Sequence, residues 1–206
     1  MTVEKVRPHK LVLHVGCGPY QAKKLHTTFH TDEWQELRLD IDPGVKPDIV
    51  ANITNMSRVG TASVDAVWSS HNLEHLFAHE VPIALKEFCR VLKPGGFALI
   101  TLPDLQRATE AISQGKLEET LYTSGSGPIA ALDVLYGHRR SIQAGNQYMA
   151  HRTGFIADTL KKKLLEAGFE RVTVDRAKVD LWAKGYKRAT AVSPASRAAR
   201  LKPERP

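Results

Sequence analysis

A short apolar run, Leu11-Val12-Leu13-His14-Val15, stops at Gly16-Cys17-Gly18-Pro19, and this junction constrains the chain more than any other stretch. A near-continuous apolar run reads as a strand covered on both faces, the habit of parallel sheets in α/β folds. Glycines at its end let the backbone adopt turns closed to other residues and let a ligand approach without meeting a Cβ. In such sheets ligands bind beyond the carboxyl ends of the strands.

The rest of the chain follows the same rhythm. Glu36 to Ile41 reads as a second strand closed by Asp42-Pro43-Gly44, Asp48 to Ala51 as a brief third, and Val64 to Ser69 as a fourth. Val81 to Leu92 has helical apolar spacing and ends at Lys93-Pro94-Gly95-Gly96, and Phe97 to Leu102 is a fifth strand. Strands separated by helices or long connections imply parallel pairing with right-handed crossovers. From about 104 to 153 the rhythm breaks, with helices expected at Leu105 to Gln114 and Ile129 to Tyr136 around the turn-rich Ser124-Gly125-Ser126-Gly127-Pro128; this reads as an insertion, or lid, over the sheet. A helix from Ile156 to Ala167 and two strands, Phe169 to Arg176 and Asp180 to Lys187, complete the pattern as an antiparallel hairpin. The expected domain spans 1–189, and the Ala-, Ser-, Pro- and Arg-rich 190–206 reads as a flexible basic tail.

Composition narrows the function classes. Apolar content of 42% and charged content of 25% argue for a folded globular chain. No apolar run approaches the roughly 20 residues of a membrane span, and the start lacks a signal-peptide core, so a cytoplasmic location is expected. Two cysteines, Cys17 and Cys89, do not suggest an extracellular staple. The formal charge of +7 is concentrated near the C-terminus, without interleaved aromatics beyond Tyr186, which argues against a nucleic-acid surface.

A carboxylate near the end of the second strand, Asp40, strengthens the glycine junction, because such a group accepts hydrogen bonds from both hydroxyls of a ribose. Asp42, two residues on, precedes Pro43 and reads as turn chemistry. The segments LVLHVGCGP, LRLDIDP, PDIVANI, VDAVWSSHNLEHL and RVLKPGGFALITLPD, in this order over residues 10 to 104, resemble the cofactor-site motifs of class I S-adenosylmethionine-dependent methyltransferases. Within that class the chain is similar to the small type 11 members, which often carry a segment like His151-Arg152-Thr153-Gly154-Phe155. The resemblance implies a Rossmann-like α/β fold with a mostly parallel seven-stranded sheet and an antiparallel C-terminal hairpin. It also implies S-adenosylmethionine as cofactor, with the methionine moiety at Gly16, Cys17 and Gly18, the ribose at Asp40 beside Ile41, the adenine at Asn52 and Ile53, and the sulfonium side at Ser70, His71 and Asn72. His14 departs from the usual acidic residue two positions before the first glycine, Tyr20 stands where a third glycine is common, and Tyr20 to Trp34 reads poorly as the usual first helix.

Methyl transfer is an in-line displacement in which the protein orients the acceptor and, for hydroxyl or amine acceptors, removes a proton. His71 and His75 are the candidate bases; for His75 the alternative is a structural bond to a backbone group. Tyr136, His138, Arg139, Tyr148 and His151 are the candidate acceptor contacts, equally typical of a surface loop. No spacing matches a structural zinc motif, so no metal is assigned. The expected activity is methyl transfer to the oxygen or nitrogen of a small or medium-sized molecule. Alternatives are a non-catalytic cofactor-binding module, a nucleic-acid methyltransferase, and an NAD oxidoreductase; Gln21 stands where the last would need a further glycine.

Overall fold

The computed structural model describes residues 9–189, so the expected tail of 190–206 lies outside the described residues. Seven strands form one sheet in the order β3-β2-β1-β4-β5-β9-β8: β1 Lys10–Val15, β2 Trp34–Asp40, β3 Ile49–Val50, β4 Val64–Ser70, β5 Leu92–Pro103, β8 Phe169–Ala177 and β9 Asp180–Lys187. The first five pair in parallel. β9 enters antiparallel between β5 and β8, so the C-terminal hairpin closes one edge. The Rossmann-like fold expected from the sequence is the fold observed.

The burial of β1 explains its composition. Val12, Leu13, His14 and Val15 are all buried, because β2 and β4 flank the strand and both faces are covered. Leu13 and Val15 point into the main core, where α1, Val81–Val91, contributes Val81, Ala84, Leu85 and Phe88. Their spacing of three and four residues puts them on one helical face. α5, Ala157–Glu166, adds Leu160 and Leu164 to the same layer.

The other face is built differently. Val12, Ala66 and Trp68 meet Phe29, with Leu25, Trp34, Phe97, Leu99 and Trp182 packed around them. The cover comes from two short 3₁₀ turns, Ala22–Lys24 and Thr27–Phe29, in the segment that reads poorly as a helix. Phe29 stands edge-on to Trp34 at 4.9 Å between ring centroids, and Trp68 stacks with Trp182 at 5.9 Å. The Trp68 indole donates to the Lys24 carbonyl at 2.9 Å, tying loop to sheet.

The segment after β5 has its own small core. α2, Leu105–Ser113, starts at Asp104, whose carboxylate accepts from Gln106 N at 3.0 Å and from Arg176 Nε at 2.6 Å. Ala108 and Ala111 pack with Ile129, Ala131 and Val134. The helix expected from Ile129 begins only at Ala131: α3 is Ala131–Tyr136, and Ile129 belongs to β7, Gly127–Ala130, paired with β6, Thr120–Ser124. The Ser-Gly stretch, expected to separate two helices, is therefore the turn of a β-hairpin. A short helix, α4 Arg139–Gln143, was not anticipated by the pattern. Among the described residues, no helix is long and apolar enough to cross a membrane.

Candidate active site

The carboxyl ends of β1, β2 and β4 converge on the glycine turn. Gly16 and Gly18 have φ of +58° and +59°, which L side chains rarely adopt. A Cβ on Gly16 would also collide with the Asn72 amide, and one on Gly18 with the Lys24 ammonium. The Asn72 amide donates to Val15 O at 2.9 Å and to Ser70 O at 3.2 Å, locking the end of β4 against the end of β1.

Asp40 is buried beside this turn. One carboxylate oxygen accepts from Gly18 N at 2.7 Å and the other from Asp42 N at 2.9 Å. A carboxylate offers about four acceptor sites, so two internal bonds leave capacity for a ligand. Asp42 behaves as turn chemistry: it caps the 3₁₀ turn Pro43–Val45 and accepts from Gly44 N at 2.8 Å. Exposed Ile41 lies between them. Asn52 accepts from Thr54 N at 3.0 Å within its own turn, and Ile53 is buried in the main core.

His14 is buried with its Nδ1 2.6 Å from Glu36 Oε1 on β2. The neighbouring strand thus supplies a carboxylate near the place where an acid was absent from β1. Arg38, unmarked in the sequence, donates to Gly18 O at 2.5 Å and Lys46 O at 3.0 Å, and its guanidinium lies 5.6 Å from the Tyr20 ring. Cys17 is buried; burial pushes its thiol up to about 11, with Arg38 opposing the rise and Asp40 and Glu36 adding to it. It is a packing residue at neutral pH.

Past β4 the chain turns sharply. His71 has φ of +53°, and its amide donates to Thr101 O at 2.9 Å. Its Nδ1 lies 3.2 Å from Glu74 Oε1 and its Nε2 3.9 Å from Asp180 Oδ1. Burial works against the imidazolium, but Glu74 and then Asp180 outweigh it and hold its pKa above the usual histidine value. Glu74 is fully buried; burial pushes its carboxyl up, and the facing His71, His75 and His151 bring it below the usual range. Asp180 is raised, chiefly by burial. Among the described residues, Glu74 Oε2 and Thr101 Oγ1 are buried without a hydrogen-bond partner, and Glu74 Oε1 and Asp180 Oδ1 face only the His71 ring.

His75 donates from Nδ1 to Ala150 O at 3.1 Å, the structural bond foreseen as its alternative, and its ring packs against His151 at 5.0 Å. Of the five candidate acceptor contacts, His151 is the one brought to this cluster. Arg139 is committed to Asp133, with Nε 2.9 Å from Oδ1 and Nη2 3.3 Å from Oδ2. His138 contacts Ser141 Oγ at 2.7 Å, and Tyr136 and Tyr148 are exposed. Glu74, Thr101, Tyr122 and Asp180 were missed by sequence reasoning. Tyr122, raised to about 12 chiefly by burial, feels the charges of Asp180 and Glu74.

Residues 13–100 match the family model described as a methyltransferase domain, type 11. No curated protein matches in sequence. Similar solved structures include a SAM-dependent methyltransferase from Archaeoglobus fulgidus, with TM-score 0.57, 15% identity and 87% of each chain covered. Another, from Methanosarcina mazei, has TM-score 0.59 and 14% identity over 89% of this chain and 95% of that one. A third is the 1,6-didemethyltoxoflavin-N1-methyltransferase of Burkholderia thailandensis with bound S-adenosylhomocysteine, at TM-score 0.55 and 16% identity over 87% and 72%. At these identities the solved structures speak for the fold, and the family model speaks for the segment that runs from β1 into β5. Over residues 13–100 the chain matches the methyltransferase-domain family, and its fold is that of the S-adenosylmethionine-dependent methyltransferases of known structure.

Proposed function

We propose that the chain transfers the methyl group of S-adenosylmethionine to an oxygen or nitrogen of a small or medium-sized acceptor. The cofactor supplies the electrophilic methyl; the protein must seat it, orient the acceptor and manage one proton. Gly16, Cys17 and Gly18 would cradle the methionine moiety, Asp40 the ribose, Asn52 and Ile53 the adenine, and Ser70 to Asn72 the sulfonium side. The left-handed backbone of Gly16 and Gly18 at the end of β1, with Asp40 bonded to Gly18 N, supports this seat.

The observation that carries the acceptor assignment is the set of unpartnered buried oxygens at Thr101 and Asp180, beside His71. Buried polar atoms are costly unless hydrogen-bonded, so this cluster favours an acceptor with polar hydrogens over an apolar carbon acceptor. His71 is the group placed to exchange a proton there, with Asp180 and Glu74 stabilising its charged form. The insertion of 104–153 would cover the acceptor, with His151 as its point of contact. Incubation with labelled S-adenosylmethionine and a panel of hydroxyl and amine compounds tests this reading. Labelled product with any of them supports it. Replacement of His71 by Gln should then lower turnover roughly 100-fold, far more than it weakens cofactor binding. Binding of cofactor without turnover on any acceptor would favour the non-catalytic module instead.

A further inference from the structure

Glu74 and His75, just past β4, and His151, at the end of the insertion, each bring a ligand-type atom within 4.8 Å of the other two. Main-chain bonds fix the approach: Glu74 O accepts from Arg152 N at 2.8 Å and Thr153 N at 3.2 Å, and His151 N donates to Tyr136 O at 3.1 Å. The Glu74 residue is 1% exposed; its Oε1 faces His71 Nδ1 at 3.2 Å, and among the described residues its Oε2 has no hydrogen-bond partner. A buried carboxylate oxygen with no donor or cation beside it is costly.

Both imidazoles are already oriented for ligation. His75 Nδ1 faces Ala150 O at 3.1 Å, and His151 Nδ1 faces Val134 O at 2.8 Å. A carbonyl only accepts, so each Nδ1 carries the proton and each Nε2 of the neutral ring keeps its lone pair. Donation of the remote ring N–H to a main-chain carbonyl is how metal-bound histidines are held.

We propose that Glu74, His75 and His151 bind one divalent first-row transition-metal ion, through one carboxylate oxygen and the two Nε2 atoms. Two imidazoles with one carboxylate suit zinc, iron(II), cobalt(II) or manganese(II), whereas magnesium and calcium favour oxygen-only sets. Bonds of about 2.0–2.2 Å would draw the three atoms closer than their 4.8 Å spread. Three protein ligands leave further positions for water or an acceptor atom. The site rests on this geometry and not on methyl transfer.

Chelator-treated full-length protein, titrated with cobalt(II) chloride and followed by visible absorption, tests the proposal. One saturable site per chain should appear, without thiolate charge-transfer bands, and zinc chloride should displace the cobalt and raise the melting temperature. His151→Asn, which keeps a donor for the Val134 carbonyl, should weaken binding by roughly 100-fold, and Glu74→Gln by at least as much. Exposed His30→Gln should leave binding unchanged. If Glu74→Gln does not fold by circular dichroism, His75→Asn takes its place. Absence of cobalt bands in the wild-type protein, or binding indifferent to His151→Asn, would overturn the assignment.

Discussion

The two faces of the central sheet are covered by different means. On one, α1 and α5 lay regular apolar faces over Leu13, Val67 and Ile100. On the other, an aromatic cluster around Trp68 and Phe29 is held by two 3₁₀ turns that donate few backbone bonds of their own. The helical layer is self-supporting, because each turn satisfies its own backbone. The loop layer depends on ring packing and on single bonds such as Trp68 to Lys24. The loop layer also borders the glycine turn, since Lys24 reaches Gly18. The side of the sheet with the less regular cover is therefore the side that adjoins the candidate cofactor seat.

The same substitution on each face breaks the comparison most sharply. Phe88→Ala removes a fully buried ring from α1 and should destabilise by about 3–5 kcal/mol, since the packed helix cannot collapse into the cavity. Phe29→Ala, equally buried, should cost distinctly less, about 3 kcal/mol or below, because the loop can relax; it should also weaken S-adenosylhomocysteine binding. Denaturant unfolding of both variants measures the difference, and equal losses would show that the loop is as rigid as the helix.

A polar tie on the helical side sharpens the contrast. The Glu87 carboxylate on α1 accepts from Met56 N at 2.8 Å and pairs with Arg90, whose guanidinium also reaches Met56 O at 2.9 Å. The Arg90 bond holds the Glu87 pKa below its ordinary 4.5, with Met56 N helping against burial. A lowered folded pKa gives stability that is complete above the unfolded value and lost as pH falls through the folded one. Glu87→Gln should cost about 1–2 kcal/mol at pH 7, with the difference shrinking as pH falls below the unfolded value and vanishing below the lower folded one. A penalty that persists in acid would assign the loss to packing.

The smallest effect is expected on the aromatic face. Trp68→Phe keeps most of the stack with Trp182 but removes the indole donor to Lys24 O, at a cost of about 1 kcal/mol or slightly more. Faster amide exchange in 22–29, with β2 unaffected, is the accompanying signature.

This contrast also marks what was legible in the sequence. β1 and β4 could be read because both faces are buried and glycine or polar turns end them, and α1 because Val81, Ala84, Leu85 and Phe88 repeat at helical spacing. β3 shrank to two residues because Asp48 spends its carboxylate on Arg38 N, 2.7 Å away, a bond set by strand register. The β6–β7 hairpin was missed because Ser124 to Pro128 has the same composition whether it separates helices or reverses a strand. Glu74, Thr101, Asp180 and His151 come from distant segments, and sheet order, not local pattern, brings them together. Arg139, read as an acceptor contact, is spent on Asp133 because α3 and α4 meet at Gly137.

Calorimetric titration of S-adenosylhomocysteine into the wild-type protein, Asp40→Ala and Asp42→Ala tests the proposed cofactor seat most directly. Asp40 joins the glycine turn to the end of β2, whereas Asp42 only caps the following turn. Saturable binding by the wild-type protein is expected. A loss of at least roughly tenfold for Asp40→Ala, equivalent to about 1.4 kcal/mol, and a distinctly smaller loss for Asp42→Ala, with each variant folded, are also expected. No binding by the wild-type protein, or a larger loss for Asp42→Ala than for Asp40→Ala, would contradict the proposed seat.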